Sequence, residues 1–356
     1  DTVARLGGDE FAVLSGPVAN VAHAERIAMK ISATFEEPFA VDAHQTPLRV
    51  SVGMTVFTAG NTLPEDCIRH ADVALYRAKQ DRLLPYQVSE EKMEESLRHK
   101  NMMERKLRHA MEAGLVQPFY QPLVNLRTSE LIGFEALARW HDPQLGQVSP
   151  TEFITLAEQT GLITQLSEQL LRAACHFAAT WPSHLKLSFN LSPKQLKDRN
   201  IGLRILSILG DTGLSPRRLE IEVTESSLVE DKALAHEVLS SLRKAGVRIA
   251  IDDFGTGYSS LYHLREFNFD NLKIDRSFVM SMQRDSANAV IIESILNLSR
   301  GLGLAATAEG IEREDQLTSL IASGCEIGQG YLFGRAMPAA DVESLLAEAS
   351  PAQASA

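Results

Sequence analysis

Polar residues at the ends of short apolar runs are the chemically informative feature of this sequence. LKLSFN (185–190) ends in Asn190, LEIEV (219–223) carries Glu222, VRIAIDD (247–253) ends in Asp252 and Asp253, and LAATAE (304–309) ends in Glu309. GFEAL places Glu135 inside another such run, and NLKID places Lys273 inside a further one. Side chains alternate faces along a strand. In LEIEV, Ile221 and Val223 therefore take one face and Glu220 and Glu222 the other. In LKID, Leu272 and Ile274 oppose Lys273 and Asp275. Glu135, Glu222, Asp252, Asp253 and Glu309 bring five negative charges and Lys273 returns one, leaving −4. Carboxylates brought close together cannot all stay ionised without a counter-charge. Two divalent cations supply +4, and an all-oxygen donor set with Asn190 as neutral ligand selects a hard ion such as Mg2+ or Mn2+ over zinc. Such a pair of ions clamps a phosphodiester for in-line attack.

The elements that must position these groups follow from the apolar pattern. Residues 115–349 alternate strands (116–121, 132–139, 185–190, 219–223, 247–252, 270–274, 304–309 and 325–328) with helix-patterned stretches. Eight strands in one such segment predict an α/β fold, a (β/α)8 TIM-like barrel. Its apolar strand faces meet the helices and its acids point inward, at the strand ends where barrel sites lie. The connection 122–131 is too short for a crossover helix, so strands one and two are expected to be antiparallel. Upstream, VARLGGDEFAVL reads as strand, turn, strand, with Gly7 and Gly8 at the turn. An amphipathic stretch follows around 18–35, then a strand over 48–57. A helix over 63–80 carries Ile68, Ala71, Ala74, Leu75 and Ala78 on one face. Residues 89–113 read as one charged connecting helix with an apolar stripe of Met93, Leu97, Met103, Leu107 and Met111, a solvated spacer closed by Gly114. The domain expectation is a 1–85 segment, an 86–114 linker helix, a 115–349 barrel and a flexible 350–356 tail.

Bulk properties exclude several classes. A net charge of −11 over 356 residues argues against duplex nucleic acid as a partner. Cys67, Cys175 and Cys325 form no CxxC pair, and the ten histidines make no HExxH. No apolar run reaches membrane-spanning length and no signal-like N-terminus is present, pointing to a reducing, cytoplasmic location. Starting at Asp1 without Met, the chain reads as a piece of something longer, which leaves room for a membrane anchor in the parent. RGLGLAA (300–306) imitates a dinucleotide fingerprint, but its order of helix, glycines, strand is that of a helix C-cap. Asp253-Phe254-Gly255 imitates a kinase motif without the accompanying catalytic loop. Trp140 and Trp181 read as packing residues, and His141 and His263 as surface residues.

FEALARW (134–140), SFNLSPKQL (188–196), EVTES (222–226), DDFGTGYSSL (252–261), LKIDRSFV (272–279), AEGIE (308–312) and QGYLFGRAMP (329–338) resemble, in order, the signature set of EAL phosphodiesterases. That family hydrolyses cyclic di-GMP to linear pGpG. The resemblance implies that Glu135, Asn190, Glu222 and Asp252 hold one metal ion and that Asp252 and Asp253 serve a second. Glu309 assists that ion or acts as general base, and Lys273 hydrogen-bonds the attacking water. Arg139 contacts a phosphate oxygen, and Gln121 and Gln329 line the substrate. Glu225 fixes the loop after Asp253, a loop tied in the family to metal organisation and to a homodimer through the barrel. Relatives that only sense the dinucleotide usually lose several of these residues, so a non-catalytic receptor is the alternative expectation.

RLGGDEF (5–11) resembles the GGDEF signature of diguanylate cyclases, and ADVALYRAK (71–79) fits the same family. The likeness covers the second half of that α+β domain, residues 1 to about 85. Asp1 falls where the inhibitory RxxD site would end, without its Arg. Asp81, Arg82, Leu83 and Leu84 replace the expected GRN-like triplet. Gly7, Gly8, Asp9 and Glu10 are competent by type, so cyclase activity is expected only in a longer bifunctional parent.

Overall fold

The computed structural model describes residues 1–17, 21–35, 38–41, 44–46, 48–57, 64–80, 86–88, 91–228, 231–255, 264, 266–283 and 286–349. The Asp81–Leu84 stretch, His263 and the 350–356 tail lie outside them. The chain divides into two compact units, Asp1–Met103 and Glu104–Ala356.

In the first unit, β1 (Thr2–Gly7) and β2 (Glu10–Leu14) form the expected antiparallel hairpin, with Gly8 at a φ of 54° in its turn. Helix α1 (Val21–Ala33) follows, then a short hairpin of β3 (Phe39–Val41) and β4 (His44–Thr46) that the sequence pattern did not suggest. The strand expected over 48–57 shrinks to β5 (Val52–Met54), which pairs in parallel with β6 (Tyr86–Val88). Helix α2 (Pro64–Gln80) lies so close to β5 that a Cβ on Gly53 would sit 2.1 Å from the Leu75 backbone nitrogen. Ala74 and Ala78 are buried as expected, whereas Ile68 is exposed. Gly53 meets the helix at Ala71 and Leu75, and the three-residue strand leaves the preceding turn uncovered.

Helix α3 (Glu91–Glu112) carries the chain onward and ends at Gly114, whose φ is 68°. Its second half is not solvated, contrary to expectation: Met103, Leu107, Ala110 and Met111 are buried. Lys106 Nζ lies 3.0 Å from Asp142 Oδ1. The Met103, Leu107 and Met111 part of its apolar stripe is covered despite the charged residues between them.

The second unit is a closed eight-stranded barrel. Its strands are β7 (Val116–Asn125), β8 (Leu131–Asp142), β10 (Lys186–Asn190), β11 (Leu219–Thr224), β12 (Arg248–Phe254), β13 (Asn271–Ile274), β14 (Ala305–Ala308) and β15 (Ile327–Gly328). They neighbour one another in that order, and β15 pairs with β7 to close the ring. Strand β7 is antiparallel to both neighbours and every other step is parallel. The cause is the short link after β7, where the Asn125 side chain accepts hydrogen bonds from the Arg127 and Thr128 amides and turns the chain back. A short β9 (Gly146–Val148) extends β8.

Helices α4 (Pro150–Thr160) and α5 (Ile163–Ala178) link β8 to β10; α6 (Ile201–Thr212) and α7 (Lys232–Lys244) make the next two crossovers. Helices α8 (Arg276–Ser281) and α9 (Ser286–Leu302) follow β13, with Gly303 at a φ of 70° closing α9. Helix α10 (Glu314–Ala322) precedes β15 and α11 (Ala339–Ala349) ends the described chain. Ile221, Ile249, Ile251, Leu272 and Ile274 are fully buried. They alternate with the interior-facing polar residues, as a barrel packed outward against helices requires.

Candidate active site in the barrel mouth

Successive parallel strands lift successive polar side chains to the same end of the barrel. Glu135 on β8 is level with Ser188 on β10, Asn190 with Glu222 on β11, and Thr224 with Asp252 on β12. Lys273 on β13 stands at the hub. Its Nζ lies 2.5 Å from Glu222 Oε2, 2.6 Å from Glu309 Oε1, 3.6 Å from Glu135 Oε2 and 3.8 Å from Asp252 Oδ1. Glu135 is held from its other side: Asn190 Nδ2 donates to Oε1 and Gln329 Nε2 to Oε2, both at 2.6 Å. Gln329 Nε2 also donates to Gln121 Oε1 at 3.0 Å, and Gln121 sits opposite Glu135 in the β7–β8 register.

This polar centre is nearly dry, and burial drives its electrostatics. Burial pushes the Glu222 carboxyl well above the usual range, the Glu135 charge pushes it further, and Lys273 only partly offsets both. Glu309 is pushed up to about 8, by burial first, with Asp252 and Glu135 opposing the relief from Lys273. Glu135 moves the other way: the ammonium and the bonds from Gln329 and Asn190 outweigh its burial. Burial alone would weaken the Lys273 ammonium, but the carboxylates around it hold its pKa well above the ordinary lysine value.

The remaining candidates lie around this hub. Arg139 shares the Glu135 face of β8 two pairs along and is half-buried. Asp253 is exposed, with a φ of 53°, a left-handed conformation that Asp tolerates. Burial and the neighbouring Asp252 raise its pKa. Glu225 is buried in the turn after β11. The loop it was expected to fix, 256–263, lies outside the described residues. Gly7, Gly8, Asp9 and Glu10 are exposed on the first unit's hairpin.

Asp275 corrects the alternation argument. Strand β13 stops at Ile274, and Asp275 turns to cap α8, accepting from the Ser277 amide at 3.0 Å rather than joining Lys273. Trp140 and Trp181 are packing residues, the first edge-on to Phe153 and the second tilted against Phe134.

Among the described residues, no three carboxylates converge on a common metal-holding point. The reason is visible: the Lys273 ammonium occupies the centre and the carboxylates turn to it. In donor type and charge the set still fits a hard cation. Burial and the neighbouring carboxylates push Glu222 and Glu309 upward more than Lys273 pulls them down, the electrostatics of a site that further positive charge would relieve. Gln329 Oε1 is a buried oxygen without a hydrogen-bond partner.

Residues 104–336 match the family model described as EAL domain, about two-thirds of the chain. The chain belongs to the EAL-domain family. Ahead of the EAL barrel, residues 1–83 match the model described as diguanylate cyclase, GGDEF domain. Over 351 residues the chain is 36% identical to the bifunctional diguanylate cyclase/cyclic di-GMP phosphodiesterase MucR of Pseudomonas aeruginosa, covering 98% of this chain and 51% of that protein. The solved structure of the MucR phosphodiesterase in complex with cyclic di-GMP is 39% identical, with a TM-score of 0.66 over 68% of this chain and 99% of that one. BlrP1 of Klebsiella pneumoniae, solved with calcium and cyclic di-GMP, is 30% identical, with a TM-score of 0.57 over 63% of this chain and 56% of that one. The chain spans about half the length, or less, of the curated relatives it matches. No helix among the described residues is long and apolar enough to cross a membrane.

Proposed function

We propose that the EAL barrel hydrolyses one phosphodiester of cyclic di-GMP to give linear pGpG, with two Mg2+ or Mn2+ ions. The observation that carries this reading is the convergence of Glu135, Glu222, Asp252 and Glu309 on Lys273 at the strand ends of a closed barrel. The EAL match and the relatives solved with cyclic di-GMP supply the substrate class. Glu135, Asn190, Glu222 and Asp252 would hold one ion, and Asp252 with Asp253 the other. Bound divalent cations supply Lewis acidity at the phosphodiester and acidify the attacking water.

The side chains of this chain do the rest. Lys273 Nζ donates a hydrogen bond to the attacking water and stabilises the negative charge it acquires. Glu309, whose carboxyl burial pushes up to about 8, would take that water's proton once the charge of bound divalent cations favours its ionised form. Arg139 presents its planar fork to a non-bridging phosphate oxygen. Gln121 and Gln329 hold Glu135 in orientation and line the substrate. The water oxygen bonds to phosphorus as the opposite P–O3′ bond breaks, and the 3′ oxygen, freed as an alkoxide, takes a proton from solvent. Seven nearly sequential motifs retain the residue types this chemistry needs, which favours turnover over sensing.

The test is incubation of the purified chain with cyclic di-GMP and Mg2+ or Mn2+, with pGpG followed by chromatography. Product is expected from the wild type and none above background from Glu135→Ala. Tight binding without product would replace the enzyme with a receptor.

A further inference from the structure

Beneath Glu222, Lys273 and Glu309 lies a second polar layer. Two residues earlier on the same interior faces stand Glu220, Asn271 and Thr307, all buried. Asn271 Nδ2 donates to Glu220 Oε1 at 2.9 Å and to Thr307 Oγ1 at 3.0 Å, and Thr307 Oγ1 lies 3.2 Å from Asn271 Oδ1. Arg248 Nε donates to the other Glu220 oxygen at 3.0 Å. One network therefore ties β11, β12, β13 and β14 together across the barrel. Strands β11 and β13 are not neighbours. They reach each other over β12, where Ala250 is level with Glu222 on one side and Asn271 on the other, and its methyl group leaves the passage open.

We infer that Glu220, Asn271 and Thr307 form a positioning platform that holds the Lys273 ammonium against Glu222 and Glu309. Lysine has a flexible four-carbon stem, so its head group stays in one place only if its surroundings leave no alternative. Glu220 is the competing acceptor, a carboxylate on the same face of β11 as Glu222. Both its oxygens are engaged, one by Asn271 and one by Arg248, so it does not draw the ammonium downward. Thr307 holds the Asn271 amide and sits on β14 two residues before Glu309, so one hydroxyl fixes the spacing of the two strands whose ends carry Lys273 and Glu309. These residues touch no reacting atom and act through Lys273. The inference rests on the proposed hydrolysis for its kinetic consequence, but not for its structural one.

The experiment compares wild type, Thr307→Val, Thr307→Ser and Asn271→Leu. Each is read by kcat and KM for cyclic di-GMP, by thermal melting, and by NMR of selectively 15N-labelled lysine ammonium groups, with the Lys273 signal assigned by its loss in Lys273→Met. Thr307→Val is nearly isosteric and removes only the hydroxyl. It is expected to shift or broaden the Lys273 signal and to lower kcat about tenfold with KM changed less than about threefold, the pattern of a misplaced group rather than of lost substrate binding. Thr307→Ser restores both. Asn271→Leu shows the same effects more strongly; should it fail to fold, the Val and Ser pair decides. An unmoved Lys273 signal in folded Thr307→Val overturns the platform, whatever happens to kcat. A wild type that makes no pGpG sinks the hydrolase reading instead, and the ammonium signal then decides the platform alone.

Discussion

Lys273 Nζ and Glu222 Oε2 lie 2.5 Å apart, and each side chain is only 1% exposed. A buried ion pair of this kind is poor evidence of a contribution to stability, because desolvating both charges offsets their attraction. Removing one partner is another matter. Lys273→Met removes the ammonium that lies against both Glu222 and Glu309, and with it the donor proposed for the attacking water. Turnover is expected to fall by about a hundredfold or more, the scale for loss of one preorganised electrostatic donor. Kinetics with cyclic di-GMP check this, and a variant retaining most of its kcat would remove Lys273 from the mechanism.

The metal-free protein should lose stability as pH rises. Glu309 has a folded-state pKa of about 8 against an ordinary 4.5. Between those values the folded state holds a proton that the unfolded state has released. By linkage, this proton's stabilisation is complete below about pH 4.5 and is lost as pH climbs through about 8. The Glu309 side chain is 20% exposed, which trims the effect to the order of 2 kcal/mol. Urea unfolding in EDTA at several pH values should show the decline, and Glu309→Gln should flatten it. Saturating Mn2+ should also flatten it in the wild type. Parallel curves for wild type and Gln variant would count against the shift.

Ala250 should tolerate subtraction but not addition. It is fully buried between Glu222 and Asn271 in the register of β11, β12 and β13. A valine there forces the cross-barrel contacts apart, at a cost of about 1–3 kcal/mol for overpacking. Activity should drop along with it. Ala250→Gly keeps the passage open and costs only about 0.5–1 kcal/mol of backbone entropy. It should retain most of the wild-type kcat, and a comparison of melting and turnover for the two variants decides.

Much of this arrangement was legible in the chain because strand alternation is a local rule. Glu222 and Lys273 declared their interior face through the Ile and Val residues beside them, and Asn190, Asp252 and Glu309 through ending apolar runs. What failed was whatever depended on where an element stops or on which distant segments meet. Asp275 obeys the alternation on paper, yet the chain leaves the strand one residue earlier and the carboxylate caps a helix. The bonds from Gln329 to Gln121 and Glu135 join opposite ends of the barrel sequence and exist only once β15 closes on β7. Glu220 was recognised as facing inward, but its partners Asn271 and Arg248 lie on other strands, and the register that brings them to it is something no single strand reveals. The apolar stripe of α3 was visible, but the Lys, Arg and Glu residues between its positions suggested a solvated spacer, and nothing local says that Met103, Leu107 and Met111 are covered.

Gln329 offers a substitution whose effect should depend on pH. Its amide nitrogen donates to Glu135 at 2.6 Å and to Gln121 at 3.0 Å. Gln329→Ala removes a hydrogen bond to a charged acceptor, a loss of about 1.5–3 kcal/mol in the state that needs it, so kcat/KM should fall about tenfold to a hundredfold. Gln329→Glu should be worse at neutral pH, because two buried carboxylates then face each other and Glu135 is driven to protonate. Acidification lets the new carboxyl carry the proton and donate it back to Glu135. The Glu variant should therefore approach the Ala variant as pH falls, and an equal loss for both at every pH would refute this account of the contact.

The end of α3 should be tied to β8 in a way that acid undoes. Lys106 Nζ reaches both Asp142 oxygens, at 3.0 and 3.1 Å, and the Gln144 side chain at 3.0 Å. Asp142 also accepts from the Gln144 and Leu145 amides. Removal from solvent pushes the Asp142 carboxyl up, but the bonds from Leu145, Lys106 and Gln144 together pull it below the usual aspartate range. A depressed folded-state pKa gives stability that is present above the unfolded value of about 3.8 and lost as pH falls through the folded one. Lys106→Met keeps an unbranched apolar stem of similar length and removes the charge. It should melt at lower temperature than wild type near neutral pH, and the gap should narrow below about pH 4 as Asp142 protonates in both proteins. A gap that stays constant down to acid unfolding would mean that the stem, rather than the ion pair, anchors the helix.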